Sequence, residues 1–121
     1  MDKIQKKSLD KPDEVRDSEK FRVEFAKVGD ITFARSTLKP GWRWSEDMKP
    51  SVMTKSCEVE HTLYQISGVT HVRMDDGAEM EFGPGDVGII PPGHDAWVVG
   101  DEPAIAIDVT GLGGLVKIND N

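Results

Sequence analysis

A chain of 121 residues is the size of one domain with one core, and its 12 glycines and 7 prolines favour many short strands over long helices. Fifteen basic against 22 acidic side chains leave a net charge of −7, and no basic stripe is visible, so a nucleic-acid partner is excluded. The single cysteine forms no internal disulfide and fits a reducing cytoplasm; the charged start "MDKIQKKSLDKPDEVRDSEK" has no apolar core of a secretory signal, and no run approaches the roughly 18 apolar residues of a membrane span.

Residues 1–20 are too charged to pack as a core element and read as a mobile arm. Pro12 followed by Asp13 and Glu14 suits the first turn of one short helix, with acids near the positive end of the dipole. From Phe21 the period becomes two. "FRVEFAKVG" sets Phe21, Val23 and Phe25 on a buried face and Arg22, Glu24 and Ala26 on the opposite one. "GD" at 29–30 turns the chain into "ITFARSTL", giving a hairpin. Pro40-Gly41 bends it again before "WRWS", where Trp42 and Trp44 alternate with Arg43 and Ser45. Residues 45–56, which include Pro50, read as loop or irregular edge strand.

"HTLYQISG" and "VTHVRM" alternate on either side of Gly68, and "DDG" at 75–77 is a hairpin turn into "AEMEF". "GPGD" at 83–86 turns into "VGII", which reads as a short buried strand stopped by "PPG" at 91–93, and "AWVVG" and "AIAIDVTG" read as a last pair around "DEP". Short strands with regularly spaced turns predict an all-β sandwich or small barrel. "GLGG" at 111–114 lacks the strand-to-helix setting of a phosphate loop and reads as a flexible tail.

The turn residues also follow a known frame. Gly85, Pro91 and Gly93 match the spacing of the second motif of the cupin superfamily, G-x5-P-x-G-x2-H-x3-N, and Gly68 anchors the first, G-x5-H-x-H-x3/4-E-x6-G. The chain therefore resembles a small single-domain cupin. That resemblance implies a double-stranded β-helix, a jelly-roll-like barrel over residues 21–112, with a charged arm before it and a tail at 113–121. It further implies pairing into a homodimer through edge strands, with the arm suited to crossing over.

Carried over position by position, the four metal-ligand places of the motifs fall on Lys55, Cys57, His61 and Ala96, and Gly100 replaces the terminal asparagine. None keeps the family's residue type. The chain offers Cys57 and His61 instead, and His94 two residues before the expected histidine. Cys57 and His61 share a face of an extended strand but would stand about 13 Å apart, so "SCEVEH" has to bend for both to reach one ion. Related cupins curve at this segment. A thiolate and two imidazoles suit a divalent ion, zinc favoured, with an open fourth position. The alternative reading is a buried thiol, a hydrogen-bonded His61 and a turn-capping His94 in a metal-free barrel that binds or senses a ligand.

Arg43, Gln65, His71 and Trp97 are the expected pocket residues, with Gln65 inward by parity with His61 and Arg43 placed to meet a small polar or anionic organic molecule. Asp95 is placed to orient His94. Glu58 and Glu60 fall on a solvated face, and Asp86 fixes its turn. No Ser-His-Asp spacing, Walker loop, dinucleotide fingerprint or CxxC is present, so the choice lies between a metal-binding cupin that takes a small molecule with or without catalysis, a metal-free ligand-binding or sensory barrel, and an oligomerising module without its own ligand.

Overall fold

The structure is a computed structural model that describes residues 3–109 and Leu112; the tail at 113–121 and most of "GLGG" lie outside the described residues. Nine strands and two helical turns follow in chain order: β1 (Glu14–Asp17), β2 (Phe21–Val28), β3 (Ile31–Leu38), α1 (Trp44–Asp47), α2 (Lys49–Val52), β4 (His61–Ser67), β5 (Val69–Met74), β6 (Glu79–Phe82), β7 (Val87–Ile90), β8 (His94–Val99) and β9 (Ala104–Val109). They form a six-stranded antiparallel sheet, ordered β1-β2-β3-β9-β4-β7, and a three-stranded one, ordered β6-β5-β8. This is the expected all-β jelly-roll barrel. No described helix is long and apolar enough to cross a membrane.

Alternation decides what lies inside. On the large sheet the inward rows run Val23–Ser36–Ala106–Gln65 and Phe25–Ala34–Asp108–Leu63 across β2, β3, β9 and β4. Residues directly opposite one another share a face, so each row stacks into one layer of the interior. The small sheet faces them with Thr70 and Val72 of β5 and with His94, Ala96 and Val98 of β8. Trp42, Trp44, Phe82 and Ile90 join this core.

The chain changes sheets at Gly68, one residue after β4 and one before β5. Its φ of +71° is open to glycine, and an added Cβ would stand 2.2 Å from the Pro103 carbonyl oxygen. The β8–β9 connection passes that same point and also changes sheets. β8 pairs with β5 while β9 lies between β3 and β4, so the two last strands are not partners as expected. Closing the barrel puts β8 and β9 on opposite sheets, and local alternation carries no record of that.

Three further expectations are corrected. Glu14–Asp17 of the arm is a strand on the free edge of β2, not a helical turn; the pairing satisfies its backbone, and the Asp13 carboxylate accepts the Lys27 N–H at 2.9 Å. The second face of β2 is covered rather than exposed: Glu24 is 9% and Ala26 3% accessible. Glu24 is gripped by Arg22 and Arg35, each at 3.0 Å, and Arg35 also holds Asp10 and the Leu9 carbonyl, which ties the N-terminal segment over that face. Burial pushes the Glu24 carboxyl up, but the two guanidinium groups outweigh it and hold it below its ordinary range. The stretch after Arg43 is helical, because Asp47 accepts the Arg43 N–H and Asp95 the Ser45 N–H, fixing the start of α1 while Trp44 is buried.

Candidate metal centre

Cys57 pairs with His94 across an isolated bridge, with its N–H donating to the His94 carbonyl at 2.7 Å. This seats the thiol beside the first residue of β8. Residues 58–60 then leave regular structure, and the chain re-enters pairing at His61, where β4 begins beside Ile90 of β7. That bend removes the separation an extended "SCEVEH" would impose. Cys57 Sγ lies 3.9 Å from His61 Nε2, and the donor atoms of Cys57, His61 and His94 all lie within 4.8 Å of one another. Cys57 and His94 are 5% and 2% accessible, and the two imidazole rings meet edge to face at 5.1 Å.

Both rings are held by their Nδ1 atoms. His61 Nδ1 lies 2.6 Å from Asp108 Oδ2, and His94 Nδ1 donates to the Pro91 carbonyl at 2.8 Å. A ring fixed through Nδ1 keeps Nε2 for a metal, and an anionic partner raises its basicity. Burial alone pushes the His61 imidazolium down, but Asp108 and then Cys57 outweigh it and raise its pKa to about 9. Burial likewise pushes the Cys57 thiol up, and contacts with His61, His94 and the Val59 N–H outweigh it, lowering its pKa to about 6. At neutral pH these shifts favour a thiolate beside an imidazolium, so an ion bound here would take the place of the His61 Nε2 proton.

Asp108 was missed in the sequence. It holds the inward place of a strand whose other inward residues are Ala104 and Ala106, and an acid in that register of an apolar strand is the signal that points to it. Asp95 does not orient His94: it faces the other way and binds Arg43 and the Ser45 N–H. Glu58 and Glu60 are exposed as expected, and Asp86 Oδ2 accepts the Gly83 N–H to fix its turn.

The donors open onto a cavity of about 300 Å³ between the sheets. Of the expected pocket residues only Gln65 lines it, buried at 2% accessibility. Arg43, His71 and Trp97 form a stack on the outer face of the small sheet instead. The Arg43 guanidinium sits 4.2 Å from the Trp97 ring centroid, His71 stacks on Trp97 at 4.7 Å, and His71 bridges Glu79 and Glu81. Alternation requires this, since Thr70 and Val72 face inward on β5, and His94 and Ala96 on β8.

The comparisons with known proteins agree with this architecture. A structure of unknown function from Rhizobium leguminosarum matches at 19% identity over 88% of this chain and 95% of its own, with a TM-score of 0.63. The formate complex of Lactobacillus farciminis oxalate decarboxylase matches at 22% identity and TM-score 0.57, over 79% of this chain, which spans only 30% of that enzyme. KdgF from Halomonas sp. matches at 17% identity and TM-score 0.56, over 79% of this chain and 83% of its own. At such identities these likenesses speak for the fold alone, and no curated protein sequence matches. The EutQ-like cupin domain matches residues 43–105, which hold both motif frames and all three donors, and the chain belongs to that cupin family.

Proposed function

We propose that this cupin holds a divalent ion, zinc favoured, on Cys57 Sγ, His61 Nε2 and His94 Nε2, and takes a small organic molecule into the adjoining cavity. The observation that carries this reading is the pair of imidazoles tied through Nδ1, with their remaining nitrogens beside a buried thiol. Three protein donors leave a coordination place open, where zinc would polarise an oxygen of the bound molecule. The ligand class shifts from the sequence-based expectation. Among the described residues no lysine or arginine lines the cavity, while Phe21, Val23, Leu38, Leu63, Val72 and Phe82 do, so the occupant has an apolar body and one polar or anionic head turned to the ion.

A metal-free barrel is the second reading, favoured by one observation: Cys57, His61 and Asp108 already form a satisfied thiol–imidazole–carboxylate line, at 3.9 and 2.6 Å. Elemental analysis of untagged protein beside Cys57→Ser and His61→Ala variants separates the two. About one ion per chain, lost in both variants, supports the metal; wild-type protein that stays metal-free after incubation with zinc, iron, nickel and copper leaves the second reading standing.

The reading places the protein in the cytoplasm as a homodimer. Strand β7 ends the large sheet, and its outward Val87 and Ile89 stand exposed beside Tyr64, in a groove none of whose described lining residues is charged. Copies that each carry −7 meet at least electrostatic cost where few charges face one another, and this exposed apolar groove at a sheet edge is such a place. Gel filtration of Ile89→Lys should show monomer where the wild type shows dimer; wild-type protein at monomer mass would end the proposal.

A further inference from the structure

The cavity also has a polar end away from the donor triad. Gln65 lies four residues along β4 from His61 on the same face, about 13 Å away in an extended strand. Its Nε2 is consumed by the Ser67 and Gly68 carbonyls and the Thr70 hydroxyl, at 3.3, 3.4 and 3.2 Å. Its Oε1 has no hydrogen-bond partner among the described residues, although the side chain is 2% accessible. The Ser36 hydroxyl, on a residue 8% accessible, is equally without a partner there.

Ser36 and Gln65 occupy one layer, each directly opposite Ala106 on the strand between them. The alanine leaves a recess between the two polar groups. Among the described residues, the only sealed side-chain polar atom without a partner is the Trp42 indole nitrogen. The unpartnered Gln65 oxygen and Ser36 hydroxyl, which line the cavity, therefore open onto it. An amide acceptor and a hydroxyl held in an apolar chamber are costly unless something bonds to them.

We infer that Gln65 Oε1 and Ser36 Oγ form a subsite for a hydroxyl group at the far end of the ligand, which donates to the amide oxygen and accepts from the serine. This deepens the proposed function and rests on its cavity. The ligand class it names is a small ω-hydroxy acid or its neutral equivalent: a head at the donor triad, an apolar middle along Leu63 and Val72, and a terminal hydroxyl over Ala106.

The test is calorimetric binding of hexanoate and its terminally hydroxylated counterpart to full-length protein, metal-free and zinc-loaded, for wild type, Ser36→Ala and Gln65→Met. Ser36→Ala carries the test, because Gln65→Met also removes the bonds that hold Ser67 and Gly68. The hydroxy acid should bind zinc-loaded wild type about tenfold more tightly than hexanoate, with the preference lost in Ser36→Ala. Equal binding of the two acids, or a preference that survives Ser36→Ala, overturns the subsite while leaving the metal reading intact. The same preference and affinity in metal-free protein supports the subsite and removes the ion from the ligand site. Binding of neither acid overturns the subsite.

Discussion

Asp108→Asn tests the metal centre at the residue that the sequence reading missed. The Asp108 side chain is 4% exposed and bonds two donors, His61 Nδ1 at 2.6 Å through Oδ2 and the Leu112 N–H at 3.1 Å through Oδ1. An amide of the same shape has one acceptor oxygen for those two donors. If it keeps Leu112, its NH₂ group faces His61 Nδ1, draws the ring to the other tautomer and puts the proton on Nε2, where the metal would bind. If it keeps His61, the ring loses an anionic partner and Leu112 an acceptor. Either outcome should weaken zinc binding by about 10- to 100-fold, the usual cost of losing a partner behind a metal ligand, or roughly 1.4 to 2.7 kcal/mol. The folded state should survive, because the Cys57–His61 pair can neutralise by passing a proton within itself and no charge is stranded. Competition against a chromophoric chelator reads the affinity, and a thermal melt of metal-free protein reads the fold. Zinc affinity within about twofold of wild type, in a variant that melts normally, would refute the claim that Asp108 sets the His61 ring.

The fold and its surface give further expectations. Gly68→Ala should cost about 3 kcal/mol or more, since its Cβ would stand 2.2 Å from a backbone oxygen at a φ of +71°; soluble yield and circular-dichroism melts check this, and a normal melt would mean the sheet crossing is looser than drawn. Arg35→Ala should free the N-terminal segment and leave Glu24 held by Arg22 alone, costing about 1–2 kcal/mol and speeding proteolysis ahead of β1. Glu81 and then Glu79 raise the pKa of His71 above its ordinary 6.5, so their contribution to stability is complete below that value and fades as pH rises through the folded-state value. Urea midpoints should therefore fall with rising pH in wild type relative to His71→Gln, and parallel profiles would count against the pair.

Much of the barrel was legible because its turns demand particular residues. Gly68 and Gly93 sit at positive φ, Pro91 ends β7, and alternation or a short apolar run marked each of β2 to β9, although β7, expected buried, turns Val87 and Ile89 outward into exposure. What alternation cannot encode is the partner of each strand, so β8 and β9 were joined although closure separates them. An acid in the apolar run of β9 marks Asp108 in the sequence, but which face of β9 is inward is fixed only by pairing with Ala34 and Leu63, on strands distant in the chain. Trp97 differs. Once His94 and Ala96 are inward, the residue after Ala96 must face out, so its place was available from parity alone. The two helical turns after Arg43 were hidden because Asp95, fifty residues on, supplies an acceptor for the Ser45 N–H.

The departures from the family's ligand pattern are connected physically. Where the motif places its fourth ligand, this chain has Ala96, and the imidazole comes from His94, two residues earlier on the same face of β8 and about 7 Å along the strand. Moving one donor alone would take it away from the others. His94, however, is bridged directly to Cys57, so the donor from the first motif lies beside it, and a short thiol there leaves room for a ring. His61, at the glutamate place, completes the cluster by turning Nε2 toward the sulfur under the hold of Asp108. The chain also has a small side chain at Ala96 on the small sheet and another at Ala106 on the large one, and both line the cavity. The imidazole at His94 and the small side chain at Ala96 therefore work together: one brings a donor beside Cys57, and the other leaves open space next to it, where the proposed ligand would lie.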